Sequence, residues 1–119
     1  MSSPYGTPSP LDRFSPEVRA AFDRFKASGD AEGLTLVVVA IVASFMPMPA
    51  KGATAPEVTP DKALIADLGF DSIAIAETVF FFEDLFGVSI GNKELMSLRT
   101  VRDLCQYIEY RSGAARVPS

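Results

Sequence analysis

The stretch that most constrains this chain is Asp67-Leu68-Gly69-Phe70-Asp71-Ser72-Ile73, because it predicts both a turn and the start of a long helix. Gly69 permits a tight turn at little steric cost, and Asp71 is a good helix-capping residue. Ser72 then falls in the first helical turn, where backbone N–H groups lack partners and the helix dipole is positive. An anion attached to the Ser72 hydroxyl would be stabilised there, so the pattern indicates a serine suited to carry a phosphate group.

The segment Ser72–Phe86 is predicted to form the main helix, which Gly87 ends. Four apolar residues recur at helical spacing and should form the core seam, namely Ile75, Val79, Phe82 and Phe86. The flank or opposite face then holds Ile73, Ala76, Glu77, Phe80, Glu83 and Asp84. For Phe80–Phe82, burial under the N-terminal part of the chain is the alternative to an exposed position.

A helix is also predicted near the N-terminus, over Pro16–Ser28. Ser15 is a capping residue, proline follows at the first helical position, and Gly29 closes the segment. Four apolar residues form one stripe along this helix: Val18, Ala21, Phe22 and Phe25. The stripe has two possible roles, to cover the core or to dock on a partner.

The C-terminal part predicts two further helices. Asn92 is placed to cap a short helix through Ser97, with Leu95 and Leu98 facing inward. Residues 100–103, Thr-Val-Arg-Asp, resemble a capping box with Asp in place of Glu. The last helix should bury four residues at helical spacing: Val101, Leu104, Cys105 and Ile108. Cys105 is therefore expected to be an inert core residue.

A proline-rich loop is predicted between these regions, over Pro47–Pro60. At its end, Thr59-Pro60-Asp61 can open a short helical turn. That turn directs three apolar side chains toward the core: Leu64, Ile65 and Leu68.

Charge and composition exclude several classes of protein. Residues 1–56 carry five acids and five bases, whereas residues 57–111 carry ten acids and five bases. The acidic half holds Ser72, which argues against nucleic acid and for partners with basic patches. Without histidine, Ser-His-Asp and Cys-His catalytic units and paired Cys/His metal spacings are absent. A single cysteine excludes an internal disulfide and fits a reducing cytoplasm.

Three segments resemble acyl carrier proteins. "LGFDSI" at residues 68–73 resembles the family's D-S-L attachment motif. "TPDKALIADLG" before it and "VSIGNKELMSLRTVRDLCQYI" after it resemble the family's loop and last two helices. The resemblance is close over residues 58–111 and loose over residues 31–57.

The resemblance implies an all-α fold, a four-helix bundle of three long helices and one short helix. The N-terminal helix would be an extra element. It also implies that a separate transferase, with Mg²⁺, attaches 4′-phosphopantetheine to Ser72, within a motif that includes Asp71 and Gly69. A serine hydroxyl without a base is a poor nucleophile, so Ser72 is predicted to be a substrate and the protein a carrier rather than an enzyme.

The resemblance further assigns a docking surface and an acyl pocket. Partner enzymes would dock at Ile73, Glu77, Phe80, Glu83 and Asp84. Acyl chains would bind near Val79, Phe82, Ile90, Leu95 and Leu98, which predicts weak sequestration of long chains. The sequence departs from the family at Ala74, where an acid is common, and at Phe80, where an aliphatic residue is usual. Loading, synthase or acyltransferase enzymes with basic patches are the expected partners, although the standard fatty-acid-synthesis enzymes need not be the natural ones.

Residues 34–46 are an apolar run rich in β-branched residues, whose propensity favours a strand. The length permits a helix, and the resemblance places the first carrier helix here, so a helix held by tertiary packing is predicted. Such a helix must be covered on nearly all faces, and the N-terminal helix could supply that cover. The run is shorter than a membrane span, which needs about 20 residues. A signal peptide is disfavoured because a long lead-in with five acids precedes or abuts the run.

The sequence thus predicts an N-terminal extension over residues 1–29, a carrier domain over residues 30–112 and a polar tail over residues 113–119. A free-standing cytoplasmic protein is expected, monomeric or dimeric through the extension. Its function would be to hold acyl thioesters in fatty acid, polyketide or related lipid biosynthesis. The alternatives are a peptidyl carrier, an unmodified helical adaptor, or a membrane-surface protein using residues 34–46.

Overall fold

A computed structural model describes residue 11 and residues 14–47 and 57–112 of the chain. Five helices occupy these ranges: α1 (Pro16–Ser28), α2 (Ala31–Phe45), α3 (Ser72–Phe86), α4 (Asn92–Ser97) and α5 (Val101–Ser112). No strand is present in the described part of the chain, which has an isolated antiparallel bridge between Ala63 and Thr100. The predicted all-α class is confirmed. The predicted tail and most of the predicted loop over Pro47–Pro60 lie outside the described residues.

Helix α1 has the bounds that the sequence predicts. The Ser15 side chain accepts a hydrogen bond from the N–H of Val18, and Gly29 ends the helix in the left-handed conformation at φ 76°. Val18, Ala21 and Phe25 are buried. The stripe therefore covers core, which was one of its two predicted roles.

Helix α2 confirms the prediction of a helix over the β-branched run, with a start three residues earlier than predicted. Asp30 caps it, since its side chain accepts the N–H of Gly33 at 3.2 Å. The β-branched side chains that would favour a strand are mostly buried here, including Val37, Val38, Ile41 and Val42. Tertiary packing on several faces thus outweighs the local propensity.

Helices α1 and α2 approach each other closely at Gly33. A Cβ atom placed at this residue would lie 2.8 Å from the carbonyl oxygen of Ala21 and 3.0 Å from the carboxylate of Asp30. The first of these neighbours is backbone and cannot rotate away. Glycine is therefore required for the observed packing of α1 on α2.

Aromatic rings join the N-terminal part of the chain to α3. Phe22 and Phe25 contact Phe86 edge-on, with ring centroids 5.5 Å and 5.8 Å apart. Phe14 and Phe45 contact the ring of Phe81 in the same manner, at 6.0 Å and 5.4 Å. The N-terminal extension therefore packs on the C-terminal half of α3 as well as on α2.

The predicted core seam of α3 is correct for its last three residues. Val79, Phe82 and Phe86 are buried, but Ile75 is only half-buried. The seam also includes Ala74 and Thr78, which the periodicity did not predict. The hydroxyl of Thr78 donates to the carbonyl oxygen of Ala74 at 2.7 Å, so its burial leaves no unpaired polar atom.

The C-terminal helices and the turn before α3 agree with the predictions except at two positions, the cap of α4 and Ile65. Thr100 and Asp103 form the capping box, each side chain accepting the other's backbone N–H, at 3.1 Å and 3.2 Å. The cap of α4 is Gly91 rather than Asn92, because the chain becomes helical one residue earlier than predicted. Ile65 does not face the core and is 67% exposed. The four residues predicted for the core side of the last helix are all buried: Val101, Leu104, Cys105 and Ile108.

Cys105 is a buried free thiol, as predicted. Burial raises the pKa of this thiol to about 11, an effect that a hydrogen bond with Thr35 partly offsets. Little thiolate therefore forms near neutral pH, so the side chain is unreactive. None of the described helices is long and apolar enough to cross a membrane.

We predict that Gly33→Ala destabilises the protein. Alanine normally favours a helix over glycine by about 1 kcal/mol, so local propensity alone would predict a gain. The contact with Ala21 should reverse the sign and lower the free energy of unfolding by about 1–3 kcal/mol, as overpacking does. Urea denaturation followed by circular dichroism measures this difference.

Gly91→Ala is the matched control, because the Cβ there would meet only the flexible carboxylate of Glu94. Its effect should be smaller than that of Gly33→Ala. An unfolding free energy unchanged or increased by Gly33→Ala would contradict the described packing of α1 on α2.

Candidate functional site

The turn before α3 is fixed by backbone hydrogen bonds. The N–H groups of Asp67 and Leu68 both donate to the carbonyl oxygen of Ala63, at 3.0 Å each. Gly69 takes a positive φ of 75°, which an L side chain rarely adopts, although open space surrounds it. The turn is also held from the core side by three buried apolar residues: Leu64, Leu68 and Phe70.

The backbone of Leu64 joins this turn to the segment before α5. Its N–H donates to the carbonyl oxygen of Arg99 at 2.8 Å, and its own carbonyl accepts the N–H of Phe70 at 3.0 Å. Beside it, the N–H of Val101 donates to the carbonyl oxygen of Lys62 at 3.1 Å. These bonds hold residues 62–64 of the turn at a fixed spacing from residues 99–101, which precede and begin α5.

Ser72 is the first residue of α3, and it is exposed. Asp71 caps the helix, and its carboxylate accepts the N–H of Ala74 at 2.8 Å. The Ser72 hydroxyl therefore stands at the positive end of a helix of 15 residues, where solvent can reach it. This is the position that the sequence predicts for an attachment serine.

An apolar groove of about 570 Å³, partly open to solvent, has Ser72 among its lining residues. Such a volume is in the range of protein sites for small molecules. The lining comes from the turn before α3, the first turns of α3, and α4 with the residues after it. The lining residues are Ala63, Leu64, Ile65, Ala66, Ser72, Ile75, Ala76, Leu95, Met96, Leu98 and Arg99.

The groove includes only part of the predicted acyl pocket. Leu95 and Leu98 line it, whereas Val79 lines a separate cavity of about 10 Å³ beneath it. Phe82 and Ile90 line neither of these cavities. Phe82 is fully buried and its ring stacks on that of Phe86, so the space predicted around it is already filled.

Sequence reasoning missed most of the groove. Ile65 and Met96 were not predicted to line it, although they are 67% and 81% exposed beside it. Ile65 was instead predicted to face the core, together with its neighbours Leu64 and Leu68 in the turn before α3. The sequence did not predict Arg99 as a lining residue, because its position depends on the hydrogen bond that its carbonyl oxygen accepts from the N–H of Leu64.

The predicted docking residues lie mostly on one exposed stripe of α3. Ile73 and Phe80 are 69% and 70% exposed, and Glu77 and Asp84 are exposed between and beyond them. Glu83 differs, because it is half-buried and its carboxylate accepts the N–H of Ile90 at 2.8 Å. We call the four exposed residues the α3 stripe: Ile73, Glu77, Phe80 and Asp84.

Comparison with known proteins shows the family. The family model for the phosphopantetheine attachment site matches residues 37–108, which is more than half of the chain. The chain therefore belongs to the phosphopantetheine-attachment family, and the predicted resemblance to acyl carrier proteins is confirmed. The matched range includes residues 37–45 of α2, all of α3 and α4, and α5 as far as Ile108, but none of α1.

Curated relatives are acyl carrier proteins of bacteria. An acyl carrier protein of Thermobifida fusca is 41% identical over 58 residues, 49% of this chain and 73% of that protein. A meromycolate extension acyl carrier protein of Mycolicibacterium aurum is 43% identical over 53 residues, 44% of this chain and 55% of that protein. An acyl carrier protein of Solidesulfovibrio magneticus is 36% identical over 62 residues, 52% of this chain and 80% of that protein.

The family identifies the protein as a carrier rather than an enzyme, with 4′-phosphopantetheine as its covalent group. It interacts with a phosphopantetheinyl transferase and with synthase enzymes in general. The described residues fit this group, because Ser72 is exposed and lines an apolar groove. Helical N–H groups at the start of α3 favour a negative charge there.

We predict that Asp71→Ala lowers the free energy of unfolding by about 1 kcal/mol, because the N–H of Ala74 loses its acceptor. Asp71→Asn keeps an acceptor oxygen and should retain most of the stability. Thermal and urea denaturation of the three proteins test this. Equal losses in both variants would show that charge, rather than capping, is what Asp71 contributes.

Proposed function

We propose that the chain holds acyl intermediates as thioesters on a 4′-phosphopantetheine arm attached to Ser72. The pathway would be fatty acid, polyketide or related lipid biosynthesis. The observation that carries the proposal is that Ser72 is exposed and is one of the residues that line the apolar groove. A hydroxyl placed there is accessible to a transferase, and a chain attached to it can reach an apolar surface without crossing the core.

Attachment would proceed by phosphoryl transfer from coenzyme A. The Ser72 oxygen forms the bond to phosphorus and gives up its proton, and adenosine 3′,5′-bisphosphate leaves. The attached arm supplies a terminal thiol that forms thioesters. The residues of this chain position the oxygen, through the Asp71 cap and the Gly69 turn, and offer the groove to the acyl chain.

The lining of the groove favours acyl cargo over aminoacyl cargo. Its residues include no acid that could pair with an ammonium group, and their one charged member is Arg99. An aminoacyl group would therefore meet a like charge there. Apolar side chains from Leu64, Leu95 and Leu98 suit hydrocarbon instead.

The α3 stripe would be the docking surface for the transferase and for acyl-loading, synthase or acyltransferase enzymes. It alternates apolar and acidic side chains, which suits partners that combine basic residues with apolar pockets. The same exposed stripe would also suit an unmodified adaptor, which is the second candidate function. The two candidates differ in whether Ser72 is modified.

Modification of Ser72 is testable by intact mass. Purified protein is incubated with coenzyme A, Mg²⁺ and a promiscuous phosphopantetheinyl transferase. We expect a gain of one phosphopantetheinyl group in the wild type and in Ser89→Ala, whose exposed serine lies elsewhere, and no gain in Ser72→Ala. Modified protein should also acquire one fast-reacting thiol, because burial keeps Cys105 unreactive.

An absence of mass gain with several transferases would favour the adaptor. A gain that persists in Ser72→Ala would contradict the assignment of the attachment residue.

Docking through the α3 stripe is testable by transferase kinetics. We expect Phe80→Ala to raise the KM of the transferase for the carrier about fivefold or more, as truncation of a central apolar anchor does. Tyr110→Ala is the matched control, since Tyr110 is 77% exposed but lies on α5. Similar KM values for both variants would place docking elsewhere.

A further inference from the structure

Arg99 is the one charged residue among the eleven that line the groove. Nine of the others have apolar side chains, and the remaining one is Ser72. Arg99 is exposed, and within the described residues the structure gives its guanidinium no ion pair, whereas Arg24 is paired with Asp30. The charge of the Arg99 guanidinium is therefore not balanced by an ion pair within the described residues.

The backbone of Arg99 is fixed at the edge of the groove. Its N–H donates to the carboxylate of Asp103 at 3.0 Å, and its carbonyl oxygen accepts the N–H of Leu64 at 2.8 Å. The same oxygen of Asp103 also accepts the N–H of Thr100 at 3.2 Å. This neighbouring carboxylate thus has a structural role at the backbone, and the guanidinium is available to another anion.

The groove lining has a charge opposite in sign to the net charge of residues 57–111, the stretch of sequence that contains it. Residues 57–111 carry a net charge of −5, from ten acids and five bases. Yet none of the residues lining the groove is acidic, and the first turn of α3 contains no acid. An anion in the groove would therefore meet one positive charge and no lining residue of like charge.

We infer that the groove accepts acyl groups whose far end carries a carboxylate, with the hydrocarbon on the apolar lining and the carboxylate at Arg99. This inference rests on the proposed role of Ser72 as the tether. A guanidinium pairs well with a carboxylate, because its N–H groups match the two oxygens. Since Arg99 is exposed, the preference over an uncharged chain should be modest, about two- to fivefold.

A matched pair of cargoes tests the inference. The wild-type protein is loaded with octanoyl or with suberyl, its ω-carboxyl counterpart of equal length, from the coenzyme A thioesters by a promiscuous transferase. Intact mass confirms loading first, so a failure of Ser72 as the tether would appear there as an absent gain. The rate of thioester cleavage by hydroxylamine is then compared with that of the free coenzyme A thioester.

We expect the protein to protect the suberyl thioester about two- to fivefold more than the octanoyl thioester, with a smaller difference at high salt. Arg99→Gln should abolish this difference. Arg102→Gln should keep it, because this second exposed arginine does not line the groove. Equal unfolding temperatures of the unloaded variants would exclude a loss of fold as the cause.

Two results would overturn the inference. Equal protection of both cargoes by the wild type would show that Arg99 does not select for a carboxylate. Loss of protection for both cargoes in Arg99→Gln would show that the guanidinium contacts the phosphate of the arm instead of the cargo.

Discussion

The structure of the site depends on the backbone hydrogen bonds of Leu64. Its N–H reaches the carbonyl oxygen of Arg99, and its carbonyl accepts the N–H of Phe70, so one residue joins both walls of the groove. Its side chain is buried and anchors the turn in the core. Because the turn leads directly into the Asp71 cap, the same bonds also set where Ser72 stands. The same hydrogen bonds therefore set both the position of Ser72 and the shape of the groove.

Helix α1 packs against α2, whose apolar character is a second constraint on the fold. A helix of Leu, Val, Ile and Ala must be covered on several faces, and α1 covers one of them. Helix α1 approaches α2 closely at Gly33, and Phe22 contacts Phe86 of α3. Phe45 of α2 contacts Phe81 of α3, so the three helices share one core. Of the three consecutive phenylalanines, Phe80 is the exposed one, whereas Phe81 is half-buried and Phe82 is buried.

Local signals predicted the helices well, because caps, glycine stops and apolar periodicity act over a few residues. The bounds of α1 and α3 and the capping box of α5 follow directly from Ser15, Asp71 and Thr100. The groove could not be predicted in the same way. Its lining brings the turn at Ala63–Ala66 together with residues of α4, whereas Phe82, predicted to line an acyl pocket, is fully buried. The structural role of Glu83 likewise depends on a loop partner, Ile90, seven residues away.

The central claim is that the Ser72 oxygen is the covalent tether of the carrier. Peptide mass spectrometry of the protein purified from cells that naturally express it tests this most directly. We expect the peptide containing Ser72 to carry the phosphopantetheinyl group and to release it on fragmentation. A Ser72 peptide found only unmodified, while other carriers from the same cells carry the group, would show that Ser72 is not the attachment residue.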